Sequence, residues 1–224
     1  GPIVEGATAY TAFSRAKRSQ FTVGIAVPRQ SLEGPLHRSL GLLFAATVGA
    51  KLARRGPAAT DYTRNQVIEQ LAEAARNAYL PVREVTGLIE GGEIPEAQVV
   101  DRVEWIRAAT QSMRVMTGGS EHEAATPHFI AGRITGAQTG AVLAFISSGI
   151  LGQYDPFGPN GGELLLVYPN VIAVERQLRV LPADFRLWVC LHEVTHRVQF
   201  RANPWLADHM SQALAVLTED AGED

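Results

Sequence analysis

The segment that most restricts the fold is WVCLHEVTHRVQF, residues 188–200, because its apolar and polar residues recur with the period of a helix. The apolar residues at helical spacing are Leu187, Leu191, Val194 and Val198. His192 and His196 are four residues apart, so their side chains leave adjacent turns in the same direction. The segment therefore predicts a helix that is anchored in the core and presents two imidazole rings at one point.

Two imidazoles placed in this way can bind one zinc ion, with bonds of about 2.0 to 2.1 Å. Glu193 lies about 100° around the helix from His192, because a helix has about 3.6 residues per turn. Its carboxylate would miss the metal but reach a water molecule beside it and take a proton from that water. The pattern HExxH on a helix is typical of zinc metallopeptidases. We therefore predict that His192 and His196 bind Zn²⁺ and that Glu193 is the catalytic residue.

A structural helix without a metal is the competing interpretation of the same segment. Cys190 lies about 200° around the helix from His192, which predicts a small buried side chain rather than a ligand. Trp188 precedes His192 by one turn and is placed to form a wall of the site.

A second polar group in the sequence consists of Glu121, His122, Glu123 and His128. Its spacing matches no metal template, and we interpret it as an exposed loop.

The third ligand that a catalytic zinc site needs is left open by the sequence. The metzincin pattern is excluded, because Gln199 and Ala202 stand where it requires a glycine and a further ligand. The remaining candidates are Asp208, His209 and Glu219 on the following helix, or a residue outside this chain. A solvated helix face is the competing interpretation for Asp208 and Glu219.

Apolar periodicity and turn residues predict a mainly α fold of the α+β class. The predicted helices cover about residues 35–55, 63–81, 95–116, 129–149, 182–202 and 203–217, and the predicted strands about 20–27 and 164–168. Five or six helices would thus accompany a small β element next to the HExxH helix. Gly136 and Gly140 predict a close approach between two helices. We expect a single domain over 1–224, with a helical part at about 35–150 and a metal-site part at about 160–224.

Composition excludes some classes of function. The net charge is −3 and no dense Lys/Arg block occurs, so we expect no nucleic-acid partner. The apolar stretch 134–151 predicts a buried helix rather than a membrane span, because Gln138 and several Ser, Thr and Gly residues dilute it. No signal peptide opens the sequence, and the single cysteine suits a reducing compartment, which together favour a cytoplasmic location.

Three segments resemble a bacterial family of zincin-like metallopeptidases. They are LPVREVTGL (80–88), GAQTGAVLAFISSGILGQYD (136–155) and LLLVYPNVIAVERQLRVLPADFRLWVCLHEVTHRVQFRANPWLADHM (164–210), and the resemblance is strongest over about 62–217. Members are often labelled uncharacterised or associated with deazaflavin coenzyme biosynthesis. The resemblance implies a mostly helical zincin-like fold, zinc bound by His192 and His196, and Glu193 as the catalytic acid and base.

The resemblance also implies a longer chain with a third ligand, a glutamate in an "EGH"-type segment. This sequence has no such segment and ends in EDAGED. Three explanations are open: the chain is a fragment of a longer protein, the remainder is supplied separately, or this copy is impaired.

Two functions from different classes follow. The first is a zinc-dependent metallohydrolase, most simply a peptidase, whose strand at 164–167 would bind an extended peptide or protein substrate by edge pairing. The second is a non-catalytic zincin-like binding module that lacks a complete ligand set. A protein anchored by a membrane helix at 134–151 is a remote third.

Overall fold

The computed structural model describes residues 9–15, 22–28, 35–88, 94–116 and 129–220 of the chain. The helices in these ranges are α1 (Pro35–Leu52), α2 (Asp61–Thr86), α3 (Arg102–Met116), α4 (Phe129–Ile146), α5 (Tyr168–Leu178), α6 (Pro182–Ala202) and α7 (Trp205–Asp220). The strands are β1 (Ala9–Arg15), β2 (Thr22–Pro28), β3 (Gln98–Val100), β4 (Gly152–Asp155) and β5 (Glu163–Val167). The described part thus confirms a mainly helical α+β fold, with seven helices rather than five or six.

The strands form two small sheets. β1 and β2 pair antiparallel, so the strand predicted at 20–27 is present as β2. The second sheet has the order β3-β5-β4, in which β5 pairs parallel with β3 and antiparallel with β4. Because β5 lies in the centre, its apolar side chains are buried on both faces, as expected for a strand covered by helices on each side.

The second sheet lies between two helical layers. Side chains alternate between the faces of a strand, so Leu164 and Leu166 point to one face and Leu165 and Val167 to the other. The first pair packs in a core cluster with buried residues of α2, α5 and α6. The second pair packs with residues of α3 and α4, Trp105 of α3 among them. The HExxH helix α6 therefore lies in one layer, directly against the sheet.

Pro81 does not end α2, contrary to the sequence prediction. The helix continues to Thr86 and ends at Gly87, which has the left-handed conformation with φ of 67°. A proline removes one helical hydrogen bond, but apolar residues on both sides of it are buried against the core. These buried residues are Val67, Leu71, Ala75, Ala78 and Val82. Packing of this stripe, which extends beyond the proline, outweighs the lost hydrogen bond.

Helix α3 begins later than predicted. Residues 98–100, placed by the sequence in the helix, form strand β3 instead. Asp101 then caps the helix, because its Oδ1 accepts hydrogen bonds from the amides of Val103 and Glu104, both at 2.8 Å. The Glu104 carboxylate accepts in return from the Asp101 amide at 2.7 Å. This reciprocal capping box fixes the first turn of α3.

Two elements were missed by the sequence analysis. The first is strand β4, which lies in the Gly/Pro-rich stretch 152–163, between the helix predicted at 129–149 and the strand predicted at 164–168. The second is helix α5, whose first turn contains Pro169 and Asn170. A proline is favourable there because its missing amide hydrogen has no helical partner. The polar group at 121–128 lies outside the described residues.

The predicted close approach at Gly136 and Gly140 is confirmed. Helix α4 crosses α1 so closely that a Cβ at Gly140 would lie 2.5 Å from the Ala45 carbonyl oxygen and 2.9 Å from the Gly49 amide nitrogen. Any larger residue at Gly140 would therefore push the two helices apart. Among the described residues, no helix is both long enough and apolar enough to cross a membrane.

Candidate functional site

Helix α6 carries the predicted site, but its buried face differs from the predicted one. Val194 and Val198 are fully buried as expected, whereas Leu187 is 38% exposed. The buried face also includes Val189 and Cys190 together with charged residues. The difference arises because α6 packs on α2 and on the sheet. The face of α6 that these contacts bury is rotated around the helix axis from the predicted apolar stripe. Periodicity alone could not give this rotation.

Cys190 has the buried, non-ligating position that its helical angle predicted. Its Sγ lies 3.6 Å from the Leu71 carbonyl oxygen in the core. Burial, and to a smaller extent the nearby Glu193 carboxylate, raise the pKa of the Cys190 thiol to about 12. The thiol therefore stays protonated at neutral pH and acts as a small core side chain.

The two histidines converge on one point. Their Nε2 atoms are 3.3 Å apart, and their rings are perpendicular with centroids 4.8 Å apart. Two nitrogens that bind one tetrahedral zinc ion with bonds of about 2.0 to 2.1 Å are themselves about 3.3 to 3.4 Å apart. The pair is also partly solvent-exposed, so an ion can reach it. The two imidazoles therefore fit two corners of a zinc coordination sphere.

Neighbouring side chains hold both rings. The Gln199 Oε1 atom lies 3.2 Å from His196 Nδ1, which leaves the Nε2 atom of that ring to point at His192. Trp188 stacks on the His192 ring at a centroid distance of 6.0 Å and an angle of 19°. Phe185 stacks on Trp188 in the same way, so aromatic rings extend along this side of α6. The ring orientations are thus supported by residues that do not themselves bind a metal.

Glu193 points away from solvent and toward the sheet. Its side chain is buried, at 7% exposure, and its Cγ would be 2.7 Å from a Cβ built on Gly152 at the start of β4. Burial raises the pKa of Glu193 to about 7. A carboxyl group with this pKa can both accept and donate a proton near neutral pH, as a general base and acid must. Glu193 therefore has a proton affinity that suits a general base and acid near neutral pH.

A family model for zincin-like metallopeptidases matches residues 42–224, which is most of the chain. The chain belongs to the zincin-like metallopeptidase family. The family indicates a zinc metallohydrolase, in agreement with the paired imidazoles and the buried carboxylate on α6.

A solved structure is similar to this zincin-like chain. It is a protein from Chloroflexus aurantiacus, provisionally assigned as a hydrolase with a novel fold. The two chains are 27% identical, with a TM-score of 0.56, and the match covers 81% of this chain. This chain spans 57% of the length of that protein's chain. Among curated proteins, no match was found.

Gly152 is a site residue that the sequence analysis missed. A Cβ at this position would meet Glu193 and would also lie 3.0 Å from the Leu165 carbonyl oxygen. Glycine is therefore required for the carboxylate to approach the sheet. A glycine in a short strand can mark a close approach of another group, but this signal was not available because strand β4 itself was not predicted. Its partner Glu193 could not be identified, because the contact joins distant parts of the sequence.

No third ligand joins the pair within the described part of this zincin-like chain, where no three His, Cys, Asp or Glu residues group around one point. Asp208 and His209 are exposed on α7, and the His209 ring contacts Trp205 instead, at a centroid distance of 6.0 Å. The side chain of Glu219 lies outside the described part. The positions of His192 and His196 are thus compatible with the two zinc ligands predicted on α6. The identity of the third ligand stays open.

The predicted substrate edge was wrong. Strand β5 (residues 163–167) cannot add a peptide strand, because β3 and β4 already occupy its two edges. Strand β4 is the edge strand on the side of α6, and it begins at Gly152, beside Glu193. Its outer edge has no partner strand among the described residues. An extended chain paired with β4 would lie next to the Glu193 carboxylate.

Proposed function

We propose that this chain is a zinc-dependent peptidase in which His192 and His196 hold the metal and Glu193 transfers the proton. The observation that carries the proposal is the 3.3 Å separation of the two Nε2 atoms beside a buried carboxylate. Zinc bound there would supply Lewis acidity toward a carbonyl oxygen and toward water. Family membership supports the hydrolase class, and the peptidase activity is our inference.

Glu193 performs the proton transfers in this proposal. Its carboxylate first accepts the proton of the attacking water and later donates a proton to the leaving amine. In the metal-free chain burial raises the pKa of Glu193 to about 7, which shows that its surroundings permit a protonated carboxyl group near neutral pH. Gly152 lets the carboxylate lie against the sheet, where water cannot solvate it fully.

The edge of β4 is the proposed binding surface for an extended peptide or protein substrate. Main-chain hydrogen bonds to a free sheet edge supply affinity without regard to side-chain identity. The geometry favours this edge because β4 and Glu193 are in direct proximity at Gly152.

Zinc content tests the ligand assignment. We expect the purified wild-type chain to hold about one zinc ion, and we expect His192→Ala and His196→Ala each to lower zinc affinity more than 100-fold. Loss of a residue that only orients a ligand costs about 10- to 100-fold, and loss of a ligand should exceed that. His37→Ala is the matched control and should leave zinc content unchanged, since His37 belongs to α1 and not to the predicted site. Equal zinc content in all three variants would refute the assignment.

The third ligand is proposed to be Asp208, Glu219 or a residue outside this chain. Zinc affinity in Asp208→Ala and Glu219→Ala separates these choices, because the true ligand should show the same loss as the two histidines. No loss in either variant assigns the position to a residue outside the chain or to solvent.

Substitution of Gly152 tests the placement of Glu193. We expect Gly152→Ala to lower peptide hydrolysis about 100-fold, because a new Cβ displaces the carboxylate and misplacement by about 1 Å can cost that much. Gly149→Ala is the control, since a Cβ there would meet only the Ile146 carbonyl oxygen at 3.8 Å. Both variants are compared in turnover of a fluorescent casein and in thermal denaturation. Unchanged turnover in folded Gly152→Ala would show that Glu193 is not held by this contact.

A non-catalytic binding module is the alternative function. The observation that favours it is the incomplete ligand set among the described residues. A module of this kind would retain zinc or a partner but show no hydrolysis that Glu193→Gln could abolish.

A further inference from the structure

A cavity of about 450 Å³ lies outside the histidine site. It is open to solvent on one side and is lined by the end of α1, the loop from α1 to α2, and the first residues of α3 and α5. Since α3 and α5 follow the parallel strands β3 and β5, the cavity lies at the carboxyl ends of two adjacent strands. None of its lining residues belongs to α6 or β4. Its volume is within the range of about 300 to 1,000 Å³ that is usual for small-molecule sites.

The lining of this cavity is strongly cationic. Five basic residues and one acidic residue contribute to it, namely Lys51, Arg54, Arg55, Arg64, Arg102 and Asp101. Asp101 is already engaged, because it caps α3 through the amides of Val103 and Glu104. Of the basic residues, only Arg64 has a carboxylate partner among the described residues, the exposed Asp61 at 3.1 Å. The cavity therefore carries an excess of positive charge while the protein as a whole is acidic.

Arg102 supplies a buried positive charge at this cavity. It is only 8% exposed, and its hydrogen bonds go to neutral acceptors: Asn170 Oδ1 at 2.7 Å and the carbonyl oxygens of Arg54 and Arg55 at 2.9 and 3.1 Å. Within the described ranges, no carboxylate lies at ion-pairing distance from it. Burial lowers the pKa of Arg102, and the charge of Arg54 lowers it further. A buried charge without a counterion is unfavourable, so an anion would relieve it.

The cavity wall is held in place before any ligand binds. Arg102 fixes the loop from α1 to α2 through two carbonyl groups, and Arg176 fixes it again through the Ala58 carbonyl oxygen at 2.7 Å. At Gly56 the loop passes so close to α5 that an added Cβ would lie 2.7 Å from Pro169 Cβ. A wall that is fixed in this way lowers the entropic cost of binding.

We propose that this cavity binds a phosphate group, either as free phosphate or as part of a small phosphorylated molecule. A phosphate carries up to two negative charges and offers several oxygens to guanidinium groups, whereas a carboxylate offers one charge and two oxygens. The excess of basic side chains at the cavity matches the charge and the number of oxygens of a phosphate. The start of α5, which has no side-chain cap, adds the partial positive charge of a helix amino terminus.

Titration calorimetry of the full chain at 0.15 M NaCl tests the proposal, with inorganic phosphate, pyrophosphate and adenosine 5′-monophosphate as probes. We expect at least one probe to bind, and Arg54→Gln/Arg55→Gln to weaken that binding at least tenfold. These substitutions keep the backbone carbonyls that Arg102 binds. Equal affinity for the free ion and the nucleotide identifies free phosphate as the ligand. Tighter binding of the nucleotide identifies a phosphorylated small molecule.

Arg83→Gln/Arg107→Gln is the matched control, because it removes the same charge from two exposed arginines that do not line the cavity. We expect its affinity to stay within twofold of the wild type. Equal weakening in both double variants would show that only net charge matters, and absence of binding by all three probes would also overturn the proposal. Neither result depends on zinc or on peptide hydrolysis.

Discussion

We expect Glu193→Gln to abolish peptide hydrolysis while leaving zinc content unchanged. Glutamine has nearly the same shape as glutamate but cannot accept a proton, so the proton transfers that Glu193 performs are lost. General acid–base catalysis contributes about 10²- to 10⁴-fold, and turnover should fall by that amount. Zinc content should persist, because the proposed ligands His192 and His196 are intact. Turnover of fluorescent casein and metal analysis of the same samples measure both quantities.

The same substitution should make the metal-free protein more stable. Burial raises the pKa of Glu193 from 4.5 to about 7, so the folded state holds a proton that the unfolded state has released between these values. The free energy of unfolding of the wild type therefore falls as pH rises from 4.5 to about 7. Above about pH 7 the Glu193 carboxylate is charged in both states, and the loss of stability is complete. A difference of this size in pKa corresponds to about 3 kcal/mol.

Urea denaturation in EDTA at two pH values checks this effect on stability. At pH 8 we expect Glu193→Gln to be more stable than the wild type, and at pH 4.5 the difference should be much smaller. Glu69→Gln, on an exposed face of α2, should change neither stability nor turnover. If Glu193→Gln retained full turnover, the role of Glu193 as base would be wrong. If Glu193→Gln were less stable than the wild type at pH 8, burial of the charged Glu193 carboxylate would not be unfavourable, which would contradict the raised pKa.

The local part of the site could be predicted from the sequence. Residues 188–200 encode both the helix and the four-residue spacing of His192 and His196, because each depends only on helical geometry. The buried position of Cys190 followed from the same geometry. Such features are properties of one helix and do not require knowledge of its neighbours.

Features that depend on contacts between distant segments could not be predicted. Gly152 meets Glu193 only because β4 packs beside α6. The continuation of α2 past Pro81 depends on the core that covers it. The cationic cavity collects residues from three separate parts of the chain, and its charged residues look like ordinary surface charge in the sequence.

Breaking the buried ion pair between Glu175 and Arg186 should have the largest effect on stability. Arg186 lies at the start of α6 and donates to both carboxylate oxygens of Glu175 on α5, at 2.6 and 2.9 Å. It also donates to Gln70 of α2, so one guanidinium joins three helices. Both partners of the pair are 7% exposed. Removal of either partner leaves the other charge buried without compensation.

We therefore expect Glu175→Leu and Arg186→Met each to lower the free energy of unfolding by about 3 to 5 kcal/mol. Urea denaturation at pH 7 measures these losses. Glu96→Gln is the control, because its pair with Arg76 is exposed and 3.8 Å long, and such pairs are worth about 0 to 1 kcal/mol.

The double variant Glu175→Leu/Arg186→Met decides how the pair acts. Apolar side chains of similar volume remove both charges, and replacement of a whole buried pair is often neutral or stabilising. We expect the double variant to recover most of the stability that each single variant loses. Losses that simply add would mean that the two residues act independently, through packing rather than through their paired charge. Because Arg186 precedes His192 by less than two turns, zinc affinity in the double variant also shows whether the pair positions the metal site or only stabilises the fold.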